Sequence, residues 1–233
     1  MNVHREFSDI EGSVDLVDKA GLLGTSNGSV ELPLNYVSQV KGLPYREYWE
    51  KYNKSFWYHI KLEDESLILF EESSFRYIMC PINIPTEEDF IYSDLGEHWD
   101  IFSIEEKEQY ISSDDFRVSY EKYVETTAHY KSHTPVRLDK HPNQHKPIDH
   151  PAHHLHIGYE NDSRIPVKRI LSPLAFTAFI ISTFYPKAWV KLYKEDILSP
   201  EMLATIKVNL GMVSHLDQRF WDDDLEEKRL YLV

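Results

Sequence analysis

Residues 56–82, FWYHIKLEDESLILFEESSFRYIMCPI, decide the fold class of this 233-residue chain. Three runs rich in β-branched and aromatic residues, Phe56 to Leu62, Ser66 to Phe70 and Phe75 to Ile82, are broken at Glu63-Asp64-Glu65 and Glu72-Ser73-Ser74. Short apolar runs separated by polar turns predict two hairpins, an antiparallel three-stranded meander. On the amino-terminal side, Val3, Phe7, Ile10, Val14 and Val17 recur at close to helical spacing, and Gly21 and Gly24 follow them. Asn27-Gly28 is a turn signal, and Tyr45, Tyr48, Trp49 and Tyr52 predict a short helix with an aromatic face.

On the carboxy-terminal side, Pro85 to Asp115 is acidic and aromatic with weak periodicity, either short helices or a long excursion. Arg117 to Tyr130 and Val136 to Leu138 are expected to extend the sheet. Ser172 followed by Pro173 then caps a helix carrying Leu174, Phe176, Phe179, Ile180 and Phe184, which Tyr185-Pro186 ends. Further helices are expected over Ala188 to Lys194 and from Ser199-Pro200, and Leu230 to Val233 is expected to be an edge strand or docking segment. The reading is a single α+β domain over 1–233, an antiparallel sheet flanked by helices. Its parts are a helical 1–55, a mostly β 56–165, and a helical segment over 166–233.

Composition narrows the function. A hydrophobic content of 42% supports a buried core, and no apolar stretch reaches the length of a membrane span, so a cytoplasmic, soluble protein without a membrane partner is expected. The lone Cys80 excludes an intramolecular disulfide and any paired-thiolate zinc motif, and its apolar surroundings predict a buried thiol. A net charge of −14 argues against binding nucleic acid over the whole surface. The segment 121–170 nevertheless carries +2 with its histidines neutral, enough for a local grip on phosphate.

Within that basic segment lie eight of the twelve histidines, from His129 to His156. Histidine moves protons and binds metals near neutral pH, so such density points to chemistry. In His154-Leu155-His156-Ile157 the alternation is that of a half-buried strand, in which His154 and His156 project together while Leu155 and Ile157 pack into the core. His153 falls opposite His154. Arg137 and Asp139 share a face of their own strand in the same way.

Two chemistries suit this set. In the first, His154 and His156, joined by His150 or a carboxylate such as Asp139, hold a divalent metal of the zinc or manganese class. Pro151 would stiffen the approach of His150. In the second no metal is required. One histidine takes a proton from the attacking hydroxyl while another gives one to the leaving oxygen, Asp139 orients, and Arg137 meets phosphate. Arg164, Lys168 and Arg169, just beyond the strand, are the expected substrate-binding cations.

Arg137-Leu138-Asp139, then His150-Pro151-Ala152-His153-His154-Leu155-His156-Ile157-Gly158, then the Ser172-Pro173 helix ending in Phe184-Tyr185-Pro186 resembles an uncharacterised bacterial domain family over residues 117–190. The order of an R-x-D strand, an HxH strand and a helix is also similar to that of the TumE-type toxins of toxin–antitoxin and phage-defence loci. That resemblance implies a toxin or defence effector acting on RNA, with Arg137, Asp139, His154 and His156 as the matched positions. The expected function is therefore a nuclease-like effector, a ribonuclease or phosphodiesterase with RNA as first substrate and a protein partner from the same locus. The alternative is a non-catalytic binding or regulatory subunit of a defence complex, using the aromatic patches at Tyr45 to Trp57 and Phe220 to Trp221, with its histidines structural or metal-binding.

Overall fold

A computed structural model describes residues 3–146 and 149–211. In chain order, α1 is Val3–Lys19, β1 Leu23–Ser26, α2 Tyr36–Val40, α3 Tyr45–Lys54, β2 Ile60–Leu62, β3 Leu67–Phe70, β4 Ser74–Ile78 and β5 Ile82–Asn83. Then come α4 Glu87–Leu95, α5 His98–Ile101, α6 Ile104–Ile111, α7 Asp114–Thr127, β6 His129–Tyr130, β7 Val136–Lys140, β8 His153–Ile157 and β9 Ile165–Pro166. Helices α8 Pro173–Phe184, α9 Pro186–Lys194 and α10 Pro200–Asn209 follow. This is an α+β fold. The chain divides into two compact units, one formed by residues up to Cys80 together with those from His133 onward, the other by Pro81–Ser132.

The first unit is built on a seven-stranded sheet of order β1-β2-β3-β4-β7-β8-β9, antiparallel throughout. The expected meander is its β2-β3-β4 part. The first strand is shorter than expected: Phe56 follows α3 at φ +57°, and pairing begins only at Ile60. One face of the sheet is apolar. Ile60, Ile68, Phe75, Leu138 and Leu155 are buried there against Val17 of α1 and Phe176, Ile180 and Ile181 of α8. The hydroxyl of Ser172 accepts the Ala175 N–H at 3.2 Å, and with Pro173 in the first turn this starts α8 where the sequence pattern placed it. Cys80 is buried as expected, its backbone N–H donating to Ser66 Oγ.

The second unit has a small core of its own, Phe90, Ile91 and Phe116, packed by Leu95, Trp99, Tyr110, Tyr120 and Tyr123. Capping boxes at Thr86/Asp89 and Ser103/Glu106 start α4 and α6. Residues 117–130 do not extend the sheet as expected. Ser113 caps α7, Asp114 and Asp115 fill its first turn, and Phe116, Tyr120 and Tyr123 recur at helical spacing on the face that packs, so only His129–Tyr130 remain in a strand. The expected edge strand at Leu230 to Val233 lies outside the described residues.

Candidate functional site

The strands β4, β7 and β8 place the polar residues. Register pairs Arg76 with Arg137 and Ser74 with Asp139 across β4 and β7, and Arg137 with His156 and Asp139 with His154 across β7 and β8. Directly opposed residues of an antiparallel ladder project from the same face. Arg76, Arg137, Asp139, His154 and His156 therefore stand together on the sheet face opposite α1 and α8. His153 and Lys140 are also opposed, and point the other way. Gly158 ends β8 at φ +96°, a left-handed conformation that explains the glycine closing the motif, and its N–H donates to Pro135 O at 2.8 Å.

Asp139 is the hub. Its carboxylate lies 2.9 Å from Arg137 Nε, 3.2 Å from His156 Nε2 and 3.8 Å from His154 Nε2. Burial opposes ionisation of this carboxyl, but the hydrogen bond from His156 and the Arg137 guanidinium outweigh it and hold the group down to about 2. Asp139, His154 and His156 are all buried, and their ligand atoms lie within 4.8 Å of one another, close enough to hold a metal ion.

The tautomer of His154 follows from its neighbours. Its Nδ1 lies 2.8 Å from Pro151 O, and a carbonyl only accepts, so Nδ1 carries the hydrogen. Burial, foremost, pulls the ring down to about 4, leaving it neutral at pH 7 with its lone pair on Nε2. That lone pair faces the ionised Asp139 at 3.8 Å, so a cation or a proton between the two would be stabilised by both. A histidine whose Nδ1–H is held by a backbone carbonyl is the usual arrangement of a metal ligand. His150 packs its ring edge-on against His154 with centroids 4.8 Å apart, and burial and Arg164 lower its pKa. It is Asp139, not His150, that joins His154 and His156 in the ligand-spaced trio among the described residues.

Beside the trio opens a cavity of about 220 Å³ whose wall includes Lys41, Tyr36, Tyr52, Arg76, Arg137 and His156. Arg137 and His156 thus belong both to the Asp139 cluster and to the cavity. Arg164, Lys168 and Arg169, expected to bind substrate, do not line it, and Arg169 Nη1 donates to Leu210 O at 3.1 Å. The cations found there instead are Arg76 and Lys41. Arg76 could have been found in the sequence: within Ser74-Phe75-Arg76-Tyr77 it falls on the strand face opposite Phe75 and Tyr77. The tyrosines could not, because α2 and α3 carry them. The remaining histidines scatter; His133, for example, stacks on Tyr45 with centroids 3.9 Å apart.

The model of one conserved family matches residues 28–217, which include every element of this site. The chain belongs to DUF2290, described as an uncharacterized conserved protein. The match extends well beyond the 117–190 stretch that carries the sequence motifs, and the likeness to TumE-type toxins has no counterpart in it. No curated protein and no solved structure matches this DUF2290 chain.

Proposed function

We propose that this DUF2290 chain hydrolyses phosphodiesters, with RNA as the first substrate, using Arg137, Asp139, His154 and His156. The observation that carries the reading is the convergence of these four residues on one sheet face, next to a cavity that Arg137 and His156 help to line. The His154 tautomer favours the metal form of the site, in which His154 Nε2, His156 Nε2 and Asp139 hold a zinc- or manganese-class ion. Such an ion would supply Lewis-acid polarisation of a phosphoryl oxygen and make water more acidic. Arg137, fixed through Nε by Asp139, would meet the phosphate with the rest of its fork.

A second, metal-free reading has an observation of its own. Asp139 already accepts from His156 and Arg137, so it can orient His156 for proton transfer without any ion. Action as a toxin or defence effector, with a protein partner from the same locus, rests on the TumE resemblance alone. The non-catalytic alternative loses part of its basis, since Tyr45, Tyr48, Trp49, Tyr52 and Trp57 are buried rather than displayed. The Phe220 to Trp221 patch lies outside the described residues.

Incubation of purified chain with labelled single-stranded RNA tests the proposal. Cleavage is expected, with a loss of about 10²-fold or more in His156→Ala and Asp139→Asn at an unchanged fold. Undiminished cleavage by both variants, or none by the wild type with zinc or manganese added, overturns it. EDTA abolishes cleavage in the metal form and spares it in the other.

A further inference from the structure

We infer that the cavity beside the Asp139 cluster is a seat for a terminal phosphate, the phosphomonoester end of a nucleotide or polynucleotide, gripped by Arg76 and Arg137. The inference deepens the phosphodiesterase reading and rests on it for the identity of the polymer, but not for the phosphate.

Two arginines stand directly opposed across the β4–β7 ladder. Like charges in that position destabilise a sheet, and here each guanidinium has a carboxylate behind it. Arg76 Nε bonds Glu71 Oε2 at 2.8 Å and Arg137 Nε bonds Asp139 at 2.9 Å. Glu71 is itself held in place, accepting from the hydroxyls of Tyr36 and Ser74. Both forks are therefore aimed by their Nε ends, Arg76 also lies within hydrogen-bonding reach of the Tyr36 hydroxyl, and both residues line the cavity. Two forks pre-oriented in this way are the arrangement that recognises phosphate oxygens.

The lining is polar as well as cationic: Tyr36, Tyr52 and His156 share the cavity wall with the two arginines. The cavity far exceeds the roughly 10–15 Å³ that one water needs by the same measure.

The depth of the residues selects a chain end over a passing chain. Arg76, 16% exposed at the side chain, lies deep, whereas Arg137, at 42%, stands nearer the opening. Lys41 is exposed. A group contacting both arginines must reach inward, which a terminal phosphate does and an internal phosphodiester, extended on both sides, does not.

Isothermal titration calorimetry of the full chain with inorganic phosphate, adenosine 5′-monophosphate and adenosine separates the sources of binding. Saturable binding of the monophosphate, and none of adenosine, is expected. Binding of inorganic phosphate alone would overturn the nucleotide-end assignment. Arg137→Gln and Arg137→Lys should each weaken monophosphate binding at least tenfold, the lysine failing because it keeps the charge and loses the fork. Because Arg137 also touches the Asp139 cluster, Lys41→Ala serves as a second variant outside it, with a several-fold loss expected. Absence of monophosphate binding, or binding unchanged in all three variants, overturns the inference. Two further outcomes keep the proposals apart. Monophosphate binding by a chain that cleaves no RNA leaves the seat standing and removes the phosphodiesterase. RNA cleavage that ignores a 5′-phosphate, with no monophosphate binding, does the reverse.

Discussion

The two faces of the central sheet are made by the same strands and differ by one residue in register. On β7 and β8, Leu138 and Leu155 oppose each other on one face, and Asp139 and His154 oppose each other on the other. The first pair sits in a core closed by α1 and α8; the second gathers charge and ring nitrogen atoms beside a cavity. Both pairs are buried. Depth alone therefore does not separate scaffold from site. What separates them is what the buried atoms require of one another: the leucines need only contact, while on the other face Asp139 must meet Arg137 and two histidine rings in a fixed geometry.

That contrast can be broken by experiment, beginning on the apolar face. Leu155→Ala should destabilise the chain by about 2–5 kcal/mol in urea unfolding, because a fully buried leucine leaves a cavity, yet residual folded protein should keep its affinity for ligands of the other face. A metal ion on the polar face should act oppositely. Zinc or manganese at about a hundred times its dissociation constant should add roughly 2.7 kcal/mol of stability. His154→Ala should abolish that gain; a gain that survives it would place the ion elsewhere.

His59 offers a sharper control, a buried histidine outside the cluster. Its Nδ1 accepts the Phe70 backbone N–H at 3.2 Å, and burial pulls its pKa from 6.5 down to about 4. The unfolded chain takes up this proton below about 6.5 and the folded chain only near 4. Stability should therefore fall as pH drops through that window, by up to about 1.4 kcal/mol per pH unit from this residue. In His59→Gln the slope of unfolding free energy against pH should be shallower; an identical slope would mean that other groups govern acid sensitivity. The smallest effect belongs to the second unit. Ser103→Ala should remove the capping box of α6 at a cost of about 1 kcal/mol, with binding to the sheet face unchanged.

Much of this contrast was legible in the sequence. Alternation fixed which of His153 to His156 share a face, and R-x-D placed Arg137 and Asp139 together; the ladder then set those two strands side by side. The half-buried reading of β8 did not hold, because the histidine face is buried too and Ile157, at the strand end, is exposed. The missing part was long-range. Arg76 meets Arg137 because β4 pairs with β7, and nothing local to either strand announces that neighbour. The cavity's tyrosines come from helices whose aromatic face reads equally well as a surface patch. Residues 117–130 misled because valine, tyrosine and threonine favour strands, while a serine cap and aromatic residues at helical spacing prevailed.

The pairing of β4 with β7 also bears on how the chain folds. Residues 81–132 lie between these neighbouring strands in the chain and possess a core of their own. Closing a loop of that length costs entropy that grows with the logarithm of the number of free residues. A connector already folded presents fewer free residues to the search. Early folding of the second unit would thus speed the joining of β4 to β7, and with it the meeting of the two arginines, without contributing a single atom to the site.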